Sequence, residues 1–548
     1  MQHLNIISRR SFLDRSVKTG FAVALSTLVD IPFVMKRALA EGSIGLNGKK
    51  LLFIWMRGAN DSLNSVIPIQ DSAYAPNRPT IGVPADPGTN YALPGPADFP
   101  VNSSPSAATY SYTNAIRLGN GFAALHPSLK FLAPVYNAGD LALIHRVAYP
   151  KQSRSHFDSQ RYWENGNPND NIVQDGIFYR TIIESGLAHT APLTGVSIQS
   201  SLPLILRGSD AAMTNLTDPT RYDLLGVPDT APGNAKAASY LNAANGYPFP
   251  TKMNRELLML QYANMQNTLS IFAGINFTEA GNTYRDNLIT DNDTDWAAAN
   301  GNEGYYLFPT TNVKNGGWRR PDGTNQANKY MVDPGHQSFF TNLKAAALVL
   351  NKTDAIIAGT ELGGFDTHNA QGGAVGNAGQ PNTHPQLNKT IGWSIYALQK
   401  YFTRYADKAT WNNIVIVTLS EFGRTTIQNS TLGTDHAEAG VMFLAGGAVQ
   451  GYNKGNPSGV FNCSTSGILP WVPGTTGTMF GAAGRYLQRN TDYRSVMGEI
   501  IRKHLGATPA QVGRIIPGYV TEPELANQRS AHASSIDGVQ IQGEVGFL

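Results

Sequence analysis

The sequence predicts an α/β fold of three layers, αβα, with helices on both faces of a mostly parallel central sheet. Three observations lead there. Short, nearly all-apolar runs alternate with longer helical patterns. Each run breaks off into a cluster of carboxylates, histidines and hydroxyls. The chain of 548 residues is 41% apolar and has a single cysteine, Cys463, so stability must come from a large core and not from an intrachain disulfide.

The elements follow in order. Residues 50–56 form a first strand that ends in Arg57-Gly58-Ala59-Asn60-Asp61-Ser62. His126-Pro127 opens a helix through Tyr136, since proline is tolerated early in a helix. A second strand, Leu141 to Val147, empties into Ser153-Arg154-Ser155-His156-Phe157-Asp158. A helix from about Ser338 to Leu350 precedes a third strand at 354–359, which leads to Gly363-Gly364-Phe365-Asp366-Thr367-His368. A helix from about Pro385 to Tyr405 precedes the fourth strand, 413–419, and then Ser420-Glu421-Phe422-Gly423-Arg424-Thr425. The last helix runs from Asp492 through Leu505 and stops at Gly506, ahead of a polar, flexible end. Residues 76–113 and about 195–335, rich in Asn, Gly, Thr and Pro, read as a loop and a long insertion, the latter with a helix over 254–272. The expected organisation is a leader, 1–40, and one domain, 41–548.

The leader carries Ser8-Arg9-Arg10-Ser11-Phe12-Leu13, then a weakly apolar stretch from Gly20 to Met35, then Ala38-Leu39-Ala40. That order is a twin-arginine export signal with cleavage near Ala40, and the expected location is periplasmic or secreted. Asp30 and Pro32 interrupt the apolar stretch, which falls short of the ~20 residues of a bilayer span, so no stable membrane anchor is expected. The first 40 residues hold six of the 42 Lys and Arg and two of the 39 Asp and Glu, which leaves 36 basic against 37 acidic. A nearly neutral mature surface offers no electrostatic footing for nucleic acid. The expected partner is the twin-arginine translocase during export, with a small-molecule or glycan ester as the substrate class.

In α/β sheets ligands bind beyond the carboxyl ends of the strands, and all four expected strands end in chemistry-bearing residues. Asp366 and His368, two apart, point to one side of an extended segment and suit two ligands of one cation; capping and a satisfied histidine are the plain alternative. In Gly433-Thr434-Asp435-His436 one of the adjacent pair ligates while the other orients it, unless both are surface loop residues. Asp61 and Glu421 follow strand ends, where a carboxylate binds metal, acts as acid or base, or caps a helix. Ser155, between Arg154 and His156, is placed for activation as a nucleophile or for a purely structural role. A glycan-binding reading rests on aromatics such as those in Arg161-Tyr162-Trp163-Glu164.

These motifs in this order, with Asp492-Tyr493-Arg494 opening the last helix, resemble the twin-arginine-exported bacterial family catalogued as domain of unknown function 1501. That family is similar in fold to the alkaline phosphatase and sulfatase superfamily, whose members hydrolyse phosphate or sulfate esters with one or two divalent metals. The resemblance implies Asn60-Asp61 as the first metal-binding pair, Ser155 in the nucleophile loop, Asp366 and His368 as the middle ligands and His436 as the last histidine. Glu421-Phe422 lies where many members have Asp-His or Asp-Asn. Phenylalanine cannot ligate, which leaves a single-metal site, a rearranged two-metal site or a site without hydrolytic activity. The full expected metal set is Asp61, Asp366, His368, Glu421, Asp435 and His436, around zinc, manganese, magnesium or calcium. Ser155 would attack the ester, with Arg154 or His156 steadying the anion. The alternative is a non-catalytic exported assembly or surface protein that keeps the fold.

Overall fold

The computed structural model describes residues 44–45, 47–84, 114–187, 193–219 apart from 210 and 212, short pieces between 268 and 308, 334–374, 383–466, 470–471, 485–519 and 544–548. The leader expected over 1–40, most of the loop over 76–113 and most of the insertion over 195–335 lie outside these residues. Among the described residues, no helix is long and apolar enough to cross a membrane.

The fold is α/β, built on one nine-stranded sheet. Its strands are β1 Lys50–Met56, β2 Leu141–Ala148, β3 Gly195–Ile198, β4 Thr214–Leu216, β5 Ile357–Leu362, β6 Ile414–Leu419, β7 Gly440–Ala445, β8 Val460–Phe461 and β9 Thr491–Asp492. Their order is β8-β2-β7-β6-β1-β5-β3-β4, and β9 also pairs with β2. All pairings are parallel except those of β7, which runs antiparallel to β6 and β2. The packed helices are α1 His156–Asn165, α2 Ile177–Glu184, α3 Gln337–Lys352, α4 His384–Arg404, α5 Tyr493–Glu499 and α6 Pro509–Ile515.

Side chains alternate between the two faces of a strand, and here each face meets its own core. Leu52, Ile54 and Met56 of β1 join Phe340 and Leu343 of α3 and Ile391 and Ile395 of α4. Leu51, Phe53 and Trp55 join Trp163 of α1, Ile182 of α2, Val496 of α5 and Val512 of α6. A strand buried on both sides has no polar face to display, which is why β1 after Lys50 and β6 apart from Thr418 read as apolar runs. The long helix α4 starts where Gln386 accepts the Thr383 N–H at 2.8 Å, with Pro385 in the first turn.

Several elements differ from expectation. The third strand begins at Ile357 rather than 354, because residues 351–354 finish α3 and turn back. Residues 126–137 form a tighter turn of helix, Pro127–Leu132, before Ala133–Asn137. Two pieces of the supposed insertion, β3 and β4, belong to the central sheet; at four and three residues they are too short to stand out as apolar runs. The chain end is anchored: the Glu499 carboxylate accepts the backbone N–H groups of Val545, Gly546, Phe547 and Leu548, and Phe547 is buried.

Gly359 in β5 lies opposite Phe53 of β1, and a Cβ there would meet the Phe53 ring at 2.4 Å. Gly359→Ala is expected to destabilise by about 1–3 kcal/mol through overpacking. Denaturant midpoints check this, and Phe53→Leu in the same chain should recover part of the loss.

Candidate functional site

Five segments meet at the carboxyl edge of the sheet: the turns after β1, β5 and β6, the start of α1, and the loop that enters β7. The last arrives there because β7 is antiparallel, so its amino end lies beside the carboxyl ends of its neighbours. The loops touch backbone to backbone. Gly58 has φ +107°, and a Cβ on it would lie 2.4 Å from the Asp366 nitrogen; one on Gly433 would lie 2.2 Å from the His368 carbonyl oxygen.

Three imidazoles surround one carboxylate oxygen. Asp366 Oδ1 is 3.1 Å from His368 Nε2, 3.3 Å from His436 Nε2 and 3.4 Å from His156 Nε2. His436 Nε2 is in turn 3.0 Å from both His156 Nε2 and His368 Nε2. Among the described residues, the donor atoms of His156, Asp366 and His436 all lie within 4.8 Å of one another, and His368 meets the same test with Asp366 and His436. His368 flanks that group. The site is half open, with the Asp366 side chain 48% exposed.

The opposite side of each ring is tied down. His156 Nδ1 lies 3.0 Å from Glu421 Oε1, His368 Nδ1 3.3 Å from Asp435 Oδ1, and His436 Nδ1 2.9 Å from the Arg154 carbonyl oxygen. Carbonyl and carboxylate oxygens only accept, so each Nδ1 donates, and a neutral ring then turns an Nε2 lone pair inward. Lone pairs and a carboxylate gathered this closely repel unless positive charge lies among them. The protein supplies some. Hydrogen bonding to Asp366 and to Glu421 pushes His156 up to about 9 against the effect of burial. Burial and the nearby charges of Arg424 and His156 push His436 down. Burial would raise Asp366, but hydrogen bonds from His156 and Arg424 outweigh it and hold the carboxyl well below the usual carboxylate range.

Residues 308–455 match the family described as protein of unknown function (DUF1501). Comparison with curated proteins and with solved structures gives no match. The matched stretch holds Asp366, His368, Glu421, Arg424, Asp435 and His436, whereas Asp61, Arg154, Ser155 and His156 precede it.

The structure sorts the expected site residues into three groups. Asp366, His368 and His436 converge, and His156, expected in a catalytic role, stands with them as a possible ligand. Glu421 and Asp435, expected as ligands, instead hold His156 and His368 by their Nδ1 atoms; Glu421 Oε1 also accepts the Gly58 N–H at 2.8 Å. Asp61 makes no contact with the cluster: it is fully buried, bound by Arg78 at 2.5 and 3.0 Å and by Gln371 at 2.6 Å. The Ser155 hydroxyl caps α1 by accepting the Asp158 N–H at 3.4 Å. Arg154 lies at the rim, its guanidinium stacked 4.6 Å over Tyr486. Phe422 packs its ring 4.8 and 4.9 Å from those of His156 and His436 and forms an apolar wall beside them.

Arg424 was not singled out from sequence. Its guanidinium is wholly buried and donates to Asp366 Oδ1, to the Gly58 carbonyl, and to those of Ala59, Phe365 and Thr434 at 2.9, 3.2 and 3.2 Å. The available signal was a lone arginine two residues after Phe422 in a strand-end motif. Only burial distinguishes it from a surface arginine.

For Asp61, burial alone would raise the carboxyl, but Arg78 outweighs burial and holds it below the ordinary range. A depressed folded-state value adds stability above the unfolded value of about 4 and loses it as pH falls through the folded one. Arg78→Met strands this buried charge and is expected to cost about 3–5 kcal/mol at neutral pH, with much of the loss relieved by Asp61→Asn in the same chain. Denaturant unfolding of both variants across acid and neutral pH checks the effect and its sign.

Proposed function

We propose that the protein is an exported hydrolase of phosphate, sulfate or related esters, working with one divalent ion held by His156, Asp366 and His436. The observation that carries this reading is the inward convergence of Nε2 atoms on Asp366 Oδ1 while each Nδ1 is held by an acceptor. Oriented imidazoles backed by carboxylates and a carbonyl are how proteins prepare histidine for a metal. Imidazole donors favour zinc among the four expected metals, since magnesium and calcium prefer oxygen. Three protein ligands with an open side is the pattern of catalytic zinc sites, whereas structural sites are closed. The αβα architecture and the place of the site are in keeping with an alkaline phosphatase or sulfatase-like fold, and the leader with periplasmic or secreted delivery through the twin-arginine translocase.

A divalent ion there would supply a Lewis acid for the ester oxygen and a lowered pKa for water. The chain's own residues do the rest. Glu421, Asp435 and the Arg154 carbonyl fix the three rings. Arg424 balances the charge of Asp366 from the buried side, where a second ion would otherwise be needed, and so favours a one-metal site. Phe422 keeps water from one flank, and Arg154 offers positive charge at the mouth to an anionic group.

The non-catalytic alternative draws on Ser155, whose hydroxyl is engaged as a helix cap. Elemental analysis and zinc titration of the mature protein, run beside a panel of phosphate and sulfate esters, separate the readings. About one ion per chain and ester turnover are expected, with both lost in His436→Ala and Asp366→Asn. Metal without turnover of any ester would favour the alternative, and neither metal nor turnover would end the hydrolase reading. Glu421→Gln is expected to weaken zinc binding about 10–100-fold by loosening His156, as read by competition with a chromogenic chelator.

A further inference from the structure

A separate cavity opens at the same edge of the sheet. It measures about 420 Å³ and lies at the ends of three adjacent parallel strands: Arg57 follows β1, Glu361 belongs to β5 and Gln199 follows β3. Another wall is α1, where Gln160 and Glu164 come four and eight residues after His156 and share its helix face. They sit about 6 and 12 Å farther along the axis. The volume falls in the range of about 300–1,000 Å³ typical of small-molecule sites, but the lining is far more polar than usual.

Two polar groups in this wall are buried without a partner. Gln199 is 5% exposed, and its Oε1 receives no hydrogen bond. Arg57 Nη1 finds no acceptor, although Nε donates to Glu361 at 2.8 Å and Nη2 to Glu164 at 3.0 Å. The guanidinium also stacks 4.2 Å over Trp55, so the direction of its free N–H is fixed. Buried polar groups of this kind call for a ligand or solvent to complete them.

The chemistry of the missing partner can be read from these groups. One open donor and one open acceptor share the wall, and a hydroxyl both donates and accepts. Arg57 and the rim residue Arg207 are matched by Glu164 and Glu361, so a charged ligand would gain no net attraction. We infer that this cavity binds a neutral polyhydroxylated group the size of a sugar ring. That assignment stands on the cavity alone. The idea that the sugar is the alcohol half of an ester whose anionic group reaches the histidines along α1 rests on the hydrolase reading above.

The test is calorimetry and saturation-transfer NMR with glucose, galactose, mannose and N-acetylglucosamine on the mature protein, with and without added zinc. At least one sugar should bind saturably at millimolar concentration. Gln199→Leu and Glu361→Gln should each weaken it about five- to tenfold, the scale of one lost hydrogen bond, without lowering the thermal midpoint or the metal content. Asp366→Asn should leave sugar binding intact. If no sugar in the panel binds, or if neither cavity substitution weakens the one that does, the assignment is overturned. Sugar binding without ester turnover would keep this assignment and remove the hydrolase reading; turnover without sugar binding would do the reverse.

Discussion

The guanidinium of Arg424 is shut away from solvent, and its donors reach the turn after β1 at Gly58 and Ala59, the turn after β5 at Phe365 and Asp366, and the loop before β7 at Thr434. Arg424 itself comes from the turn after β6. One side chain therefore holds four connections together at the edge where three histidines must meet. An arginine is suited to this because its charge is permanent and its donors radiate in a fixed plane. Burying it is tolerable because Asp366 supplies the opposite charge and four carbonyls complete its donors.

A second buried pair supports the same loops from behind. Arg78 holds Asp61, Asp61 accepts from Gln371, and the Gln371 amide oxygen accepts the hydroxyls of Thr367 at 3.0 Å and Thr434 at 2.7 Å. Thr367 precedes His368, and Thr434 lies two residues before His436. Asp61 thus contributes to the position of two histidines without approaching them. The two arginines stabilise an arrangement whose exposed part, three imidazoles around one carboxylate, is electrostatically demanding by itself.

Legibility followed the range of the forces involved. The strands β1, β2, β5 and β6 were readable because burial on both faces makes most of their residues apolar, a local signal. The strands β3 and β4 were not, since at their length no run is long enough to separate from loop. The segment that became β7 carries an apolar run, but nothing local states its direction. In the site, Asp366, His368 and His436 were recognisable by residue type and spacing. Asp61 and Glu421 looked like equivalent strand-end carboxylates, yet Asp61 faces Arg78 and Glu421 faces His156. Which partner each one meets depends on residues 17 and 265 positions away in the chain.

The sequence alone determined that this chain builds an α/β core and gathers acids and histidines at the strand ends, because both follow from burial and from local alternation. A resemblance to the family whose model matches residues 308–455 was also within its reach, through the order of short motifs. The tertiary structure decided which of those residues converge. It reversed β7, bringing His436 to the edge occupied by His156 and Asp366; it gave the Ser155 hydroxyl to a helix cap; and it buried Arg424 where a charge was needed. These outcomes depend on strand direction and on contacts between distant segments, and no local pattern of residues encodes either.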